Sequence, residues 1–494
     1  MTDVCLLLEG TYPYVAGGVS SWVHDLISSL DDMTFSVIYL GAHRPGTKKM
    51  HYKMPQNVLD FQEYYLFDYR IYPKSRYHNN KQDYQIIEDF FRAMKVSDTS
   101  YFNELYRIAG NSKTRKVDQS DFVHSYPAWE VLVDIYSSES KGTSFIDYFW
   151  SWRFIYLPFF TLLKVPLLPA RIYHTISTGY AGLLGCLCKK QFNRPLILTE
   201  HGIYTRERKI EIAQADWIYS EDTGEIKVID EEEFFRKWWN SLFSFYSHLT
   251  YEHADEIISL YEGNRQVQVE EGADVKKTRI IPNGVDYAQL SSLPKEKQSK
   301  KLRVGFMGRV VPIKDVKTFI RACKIIYEKI KDVEFFIMGP LDEDKEYYNE
   351  CFLLVQREGL EGVVHFTGKI KVTEYYPHLD IIVLTSISEA QPIVILESFA
   401  CGIPVVSSDV GSCKELLYGR TADDQLLGKA GTITPLYDPL ATANAVVKIL
   451  TDQALYLQMS ETARQRVKKY FQKNHVWAAY QQLYTHYIEQ VRWN

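Results

Sequence analysis

The pattern that most constrains this chain is a strand–helix alternation that runs once, stops, and starts again. Short apolar runs at Asp3–Glu9, Phe35–Leu40, Ile172–Thr175, Leu196–Thr199 and Glu256–Leu260 read as buried strands, and a helical segment at about Gly18–Leu30 follows the first. From Leu302 the pattern restarts. Strands are expected at Leu302–Met307, Val333–Met338, Val363–Thr367, Ile381–Leu384 and Val405–Ser408, with helices near 315–331, 344–358, 393–401 and 439–450. Strands that are apolar throughout need cover on both faces, which a parallel sheet between two helix layers supplies. Two such runs predict two doubly wound α/β domains. A chain of 494 residues has room for both. The polar stretch Ser291–Lys301 reads as the link between them.

Between Gly41 and Ala170 the alternation is lost. This is too long for a structureless loop, so a largely helical insertion is expected over about 43–168. Residues 61–160 hold 26 Phe, Trp and Tyr in 100 positions, against 17 in the 191 positions of 280–470. Phe149–Leu168 and Phe234–Tyr251 each read either as a buried helix or as a docking surface for a membrane partner. Arg153, Pro158, Lys164 and Pro166 interrupt the first, so it is not expected to span a bilayer. Met1-Thr2-Asp3 lacks the basic start of a secretion signal. The seven cysteines are scattered through apolar stretches, and Cys186-Leu-Cys188 is too close for a zinc site. These features predict a cytoplasmic chain with reduced thiols. A net charge of −5 gives no footprint of a general nucleic-acid binder.

Several stretches could carry chemistry. Gly17-Gly18 lies at a strand–helix junction, where bare backbone can approach a phosphate or a sugar, or simply turn. It is not the GxGxxG of a dinucleotide site. Gly308-Arg309 and Lys314 place two cations after a strand. A planar fork and a point charge together suit a diphosphate, although both could equally be solvated. Glu389 lies in a strand-end loop, and Glu397 sits one turn into an apolar helix, where an unpartnered charge is costly. A sugar diol or an internal cation would satisfy it. His201, in Thr199-Glu-His-Gly202, sits where open α/β sheets bind ligands, or is structural; Arg206 and Arg208 follow it and could meet an anion or face solvent. Asp342-Glu-Asp344 reads as a helix cap in preference to a metal site.

With Ile281-Pro-Asn-Gly-Val-Asp286, Gly402-Ile-Pro-Val-Val and Gly411-Ser-Cys-Lys-Glu415, these motifs make the chain resemble the family 4 glycosyltransferases of GT-B fold across residues 9–415. The stretches DVCLLLEGTYPYVAGGVSSWVHDLI, LTEHGIYTRERKIEI, SEAQPIVILES and DVGSCKEL resemble the branch of that family devoted to Pel exopolysaccharide. The resemblance implies two Rossmann-like domains facing a central cleft. Residues 1–290 would form an acceptor domain, completed by a helix at 473–494, and residues 291–472 a nucleotide-sugar domain. Arg309 and Lys314 would hold the donor diphosphate, Glu397 the ribose, and Glu389 the donor sugar. Backbone at Ala390, Gln391, Pro392 and Ile393, with Gly17, Gly18 and Gly308, would complete the donor site. The base would rest near Gly368, Lys369 and Ile370, and His201 near an outer sugar hydroxyl. The catalytic set implied is Glu389, Arg309, Lys314 and His201.

The implied reaction is retaining transfer from a UDP-sugar to a growing polysaccharide, without metal or other cofactor. N-acetylhexosamine is preferred over glucose as the sugar. Integral membrane proteins of the Pel machinery would be partners, holding the chain at the inner face of the plasma membrane, and nucleic acid would not. Ala390-Gln391 departs from the Gly-Phe or Gly-Leu found after the first Glu in many family members. A non-catalytic nucleotide-binding scaffold and a UDP-sugar epimerase are the competing readings.

Overall fold

The computed structural model describes residues 1–44, 49–69, 71–139, 143–213, 229–294 and 301–492. Residues 295–300 of the polar stretch, and 493–494 at the end of the expected last helix, lie outside the described residues. The chain divides into two compact units. The first comprises Met1–Ser259, Arg265–Arg279 and Gln481–Asn494; the second comprises Leu260–Asn264 and Ile280–Tyr480.

The first unit carries seven strands: β1 (Thr2–Glu9), β2 (Phe35–Gly41), β3 (Val58–Tyr65), β4 (Ala170–Thr175), β5 (Leu196–Glu200), β6 (Glu256–Ser259) and β7 (Thr278–Ile280). Their order is β3-β2-β1-β4-β5-β6-β7, and β1 pairs in parallel with β2 on one side and β4 on the other. The second unit carries β8 (Leu302–Met307), β9 (Val333–Met338), β10 (Val364–Gly368), β11 (Ile381–Leu384), β12 (Val405–Ser408) and β13 (Gly431–Thr434), ordered β10-β9-β8-β11-β12-β13. Both sheets therefore reverse direction beside their first strand, at β1/β4 and at β8/β11. Both are doubly wound α/β sheets of the expected Rossmann-like type. β2, β5, β6, β11 and β12 are buried throughout, and β1 is buried at six of its eight positions, as their largely apolar sequences require.

β3, β7 and β13 escape the apolar pattern. All three sit at sheet edges, where one side is uncovered: β3 is half-buried or exposed at every position but its last, Tyr65, and the other two span three and four residues. The expected insertion is thus not purely helical, because β3 falls inside it. The rest of it supplies helices including Lys81–Lys95, Tyr126–Glu139 and Phe145–Leu162.

Those helices pack with the long helix Ile229–His253 through rings. Phe91 stacks on Tyr156 at 4.0 Å, Phe122 on Phe160 at 4.4 Å and Tyr148 on Trp238 at 4.9 Å. Trp152, Tyr156, Phe159 and Phe160 are buried, as are Trp238, Phe245 and Tyr246. The aromatic excess is therefore chiefly a core, and both ambiguous segments resolve mainly as buried helices. Among the described residues of the insertion, Tyr72, Tyr126, Trp129 and Trp150 stand in solvent, with Tyr101 and Phe154 partly so. Among the described residues no helix is long and apolar enough to cross a membrane.

In the second unit, Phe306, Phe319 and Phe335 pack on one sheet face, and Ile382, Leu396 and Phe399 on the other. Arg466, fully buried, fastens the helix Gln453–Tyr470 to this unit. Its guanidinium donates to Asp424 Oδ1 at 2.6 Å and to the carbonyls of Gly428 (2.7 Å) and Leu417 (2.8 Å).

Candidate functional site

Two strand-end loops of the second unit build its site. After β8 the chain makes a short turn, Pro312–Lys314, and Asp315 then takes a left-handed φ of 44° while its carboxylate caps the helix Val316–Lys329 at Thr318 N–H. After β11 the loop 385–389 ties to that turn. Thr385 Oγ1 donates to the Asp315 carbonyl at 2.8 Å, and the Ile387 N–H donates to the Ile313 carbonyl at 2.9 Å. This stitching brings Lys314 to Glu389. Lys314 Nζ lies 2.5 Å from Glu389 Oε1, and Ser386 Oγ donates to the same oxygen at 2.7 Å. Both charged side chains are mostly shielded, at 20% and 12% exposure. The pair stands at the β8/β11 reversal, where open α/β sheets bind ligands.

Glu397 lies in the helix Ile393–Ala400. Burial pushes its carboxyl up, opposed by the Tyr376 hydroxyl, which donates to Oε2 at 2.8 Å. Tyr376 thus answers one of the two oxygens of the buried carboxyl. Glu397 Oε1 has no partner among the described residues and remains available to a ligand. The helix begins at Pro392 with no side-chain cap. Of the backbone positions expected to contribute, Pro392 has no N–H, so only Ala390, Gln391 and Ile393 can offer amides. The Gln391 side chain is spent internally: Oε1 accepts from the Asn283 N–H at 2.6 Å, and Nε2 donates to the Leu260 carbonyl at 3.3 Å. This gives the Ala390-Gln391 departure a structural role, pinning the Ile281–Gly284 loop.

Arg309 is exposed and pairs with Glu343 at 2.8 Å. The neighbouring Asp344 caps the helix Lys345–Arg357 at Tyr347 N–H. Gly308 has open space at its Cβ position, with nothing nearer than 3.6 Å. The glycine that the backbone demands is Gly339, with φ +150°, where an added Cβ would meet the Gly308 carbonyl oxygen at 2.0 Å. Gly339 N–H in turn donates to the carbonyl of Gly368 at 3.0 Å, and Gly368 has φ +68°. Lys369 is exposed and Ile370 half-buried on the loop that follows. Gly411, with φ +51°, lets the chain pass the Glu389 carbonyl at a distance that no Cβ could share. Sequence reasoning missed Tyr376, Ser386 and Gly339. A serine three residues before a carboxylate is a usable signal; the other two are brought in only by folding.

In the first unit, Gly17 and Gly18 are exposed at the N-terminus of the helix Gly18–Ser29, and nothing lies within 4 Å of either Cβ position. Neither packing nor backbone conformation requires glycine there, while the helix end itself is open to an anion. His201 follows β5, and its ring meets Trp22 edge-on at 4.8 Å. Burial pushes the imidazole down to about 4. It is therefore neutral near pH 7 and can act as a hydrogen-bonding group but not as a cation. Its neighbour Glu200 is buried, accepting from Tyr251 Oη at 2.8 Å, Gln268 Nε2 at 2.9 Å and Tyr204 N–H at 2.9 Å. Burial nevertheless raises its carboxyl to about 7. At the end of β1, Glu9 accepts from Tyr204 Oη at 2.9 Å and from the Ala181 N–H at 3.3 Å, at the start of the helix Tyr180–Phe192. Arg206 is exposed, and Arg208 pairs with Glu211 at 2.7 Å while lying over the Tyr204 ring.

Residues 2–276 match the family described as Domain of unknown function (DUF3492), and residues 291–466 match Glycosyl transferases group 1. A D-inositol 3-phosphate glycosyltransferase of Kineococcus radiotolerans is 23% identical over 318 residues, covering 60% of this chain and 68% of the relative. Among solved structures, Anabaena HepE in complex with UDP superposes with a TM-score of 0.58 at 13% identity, covering 98% of this chain and 99% of that one. The sucrose-phosphate synthase of Thermosynechococcus elongatus gives 0.56 at 18% identity, covering 98% of each. These likenesses show the fold: two Rossmann-like domains of the GT-B type.

Proposed function

The chain belongs to the DUF3492 family and carries a group 1 glycosyl transferase domain, and on that premise we propose that it transfers a sugar from a UDP-sugar to a growing polysaccharide. The observation that carries the reading is the Lys314–Glu389–Ser386 cluster at the β8/β11 reversal, with Glu397 beside it. Lys314 and Arg309 supply cations for a departing diphosphate, and Gln391 and Ile393 supply amides at an uncapped helix start. Glu397 Oε1 accepts from a ribose hydroxyl. Glu389, fixed by Lys314 and Ser386, accepts from hydroxyls of the donor sugar. HepE, a structural neighbour, is described in complex with UDP, which supports uridine as the nucleotide.

Glu389 is the one carboxylate in this cluster near the expected reacting carbon, and it is already held by two donors. The reading is therefore front-face retaining transfer, in place of a covalent intermediate on the protein. The acceptor oxygen bonds to the anomeric carbon, the bond from that carbon to the phosphate oxygen breaks, and the acceptor proton passes to the departing diphosphate. Positioning and electrostatic stabilisation carry the rate, with Arg309 and Lys314 in the place a metal would otherwise take. His201, neutral, contributes a hydrogen bond. On the sequence resemblance, the polymer is Pel-type, the protein is PelF-like, the sugar is an N-acetylhexosamine, and the site of action is the cytoplasmic face of the membrane beside integral membrane partners.

The test is a donor panel read by UDP release, with and without an oligosaccharide acceptor. Wild-type protein transfers; Lys314→Ala and Glu397→Ala each abolish transfer with circular dichroism unchanged. Wild-type rates in both variants would overturn the assignment. Conversion of the donor to an isomeric UDP-sugar without UDP release, read by chromatography of the same reactions, would make the chain an epimerase, and UDP binding without turnover would make it a scaffold.

A further inference from the structure

The chain passes between its two units at 259/260, 264/265, 279/280 and 480/481. The crossing segments Leu260–Asn264 and 281–285 belong to the second unit, as does the loop that carries Glu389. Two arms join that loop to them. The first is the side chain of Gln391, which is 7% exposed. Its Oε1 accepts from the Asn283 N–H at 2.6 Å, and its Nε2 donates to the Leu260 carbonyl at 3.3 Å, so one amide fastens both crossings. The second arm starts from the Ala390 carbonyl, which accepts from the Ser412 N–H at 2.9 Å. Ser412 opens the helix Cys413–Tyr418, and Glu415 on that helix accepts from the Gly263 N–H at 3.1 Å and the Glu262 N–H at 3.2 Å.

The Glu415 arm reaches Leu260–Asn264, and Gln391 is the arm that reaches 281–285. From there the tie continues. The Val285 N–H donates to the Phe471 carbonyl at 2.9 Å, and the Lys473 N–H donates to the Val285 carbonyl at 3.0 Å. Lys473 starts the helix Lys473–Arg492, along which the chain crosses at 480/481. Gly284 admits this join: a Cβ there would meet the Lys473 nitrogen at 2.8 Å and the Gln472 carbonyl carbon at 2.9 Å. A primary amide offers a donor and an acceptor at once, whereas an apolar side chain offers neither and a carboxylate only acceptors. Gln391 thus supplies a connection that an apolar residue at this position could not. Opening of 281–285 breaks the Gln391 bond to Asn283 and loosens the loop. A ligand that needs the ordered loop opposes that opening, by a factor approaching one plus the ratio of its concentration to its Kd.

We propose that Gln391 is a positioning residue that couples nucleotide occupancy of the Glu389 loop to the order of the crossing 281–285. This rests on the reading of the Lys314–Glu389 cluster as a UDP site. Hydrogen exchange is measured on peptides of the full chain covering Leu260–Asn264 and 281–285, without UDP and with UDP at about ten times the calorimetric Kd of each protein. In wild type, UDP slows exchange of both crossings about tenfold, and the helix Pro439–Thr451, which Gln391 does not touch, is unchanged. Gln391→Met keeps the length of the side chain and loses both hydrogen bonds. Its response to UDP at 281–285 falls below about twofold, while Leu260–Asn264 still responds through Glu415. Gln391→Glu retains an oxygen for the Asn283 N–H, so the response at 281–285 returns. Circular dichroism of both variants matches wild type. A wild-type response at 281–285 in Gln391→Met, loss of response at both crossings in that variant, or equal slowing of Pro439–Thr451 in wild type would overturn the proposal. UDP binding by wild type with no response at 281–285 would overturn it alone, whereas absence of UDP binding would sink the UDP-site reading together with it.

Discussion

Gly339→Ala tests how the second-unit site is held. Gly339 follows β9 with φ +150°, a region that residues bearing a Cβ avoid, at about 1–3 kcal/mol. An added Cβ would also sit 2.0 Å from the Gly308 carbonyl oxygen and 3.3 Å from the Arg309 nitrogen. Those neighbours are backbone and cannot rotate away, so the strand end must move, for about another 1–3 kcal/mol. Together these give about 4 kcal/mol of local destabilisation. Gly308→Ala is the control. Its Cβ would find Phe306 and the Lys314 stem at 3.6–3.8 Å, which is ordinary contact, and Gly308 φ is not positive. Hydrogen exchange of peptides covering Leu302–Gly308 and Val333–Gly339 reads the difference without assuming that two units unfold as one. Gly339→Ala loses about three decades of protection there, and Gly308→Ala loses less than one. Equal losses, or unchanged protection in Gly339→Ala, would refute the argument that Gly339 is the glycine this site cannot replace.

Tyr376→Phe removes the hydroxyl that opposes the burial-driven rise of the Glu397 carboxyl, so the carboxyl rises further, and UDP affinity measured by calorimetry falls about tenfold. Glu200 carries a folded-state value of about 7 against an ordinary 4.5. Its contribution to stability is complete below pH 4.5 and is lost, by about 3 kcal/mol, as pH rises through 7. Glu200→Gln therefore flattens the denaturant-midpoint profile of the first unit between those limits, and an unchanged slope would count against the assignment. Arg466→Lys keeps the charge but loses the fork that serves Asp424 and the carbonyls of Leu417 and Gly428. Thermal unfolding of the second unit is expected to show a loss of about 3–5 kcal/mol.

The strands at the centre of each sheet were legible because burial on both faces writes an unbroken apolar run: β8, β9, β11 and β12 fall where the sequence puts them, residue for residue. The edges were not. β3 reads VLDFQEYY because one of its sides is open, and such a strand resembles a loop until its neighbour β2 is known. The site followed the same division. Lys314 and Glu389 were nameable because charge beside an apolar strand end is conspicuous in one dimension. Tyr376 was not, because its bond to Glu397 spans 21 positions and nothing in Val372–Tyr375 marks it. The aromatic excess was plain as a count, but its meaning was not. Ring-on-ring packing among the inserted helices, and the few rings left in solvent or at a cavity wall, look alike in a sequence.

Both sheets reverse beside their first strand, and at each reversal two outgoing loops diverge and leave the strand ends uncovered. The reversal creates the space, and what fills it depends on the side chains at those few positions. At β8/β11 the sequence places Lys314, Ser386 and Glu389, so the strand ends hold a charged pair suited to a diphosphate and a polar sugar. At β1/β4 it places Glu9 at a cavity that Phe67 and Phe154 also line, so the same geometry becomes ring-walled and acid-lined. If the topology alone set the chemistry, exchanging Lys314 for Glu at the β8/β11 reversal would leave UDP affinity unchanged. The expectation from side-chain chemistry is the opposite. Lys314→Glu abolishes UDP binding, read by calorimetry with circular dichroism unchanged, and wild-type affinity in that variant would refute the argument.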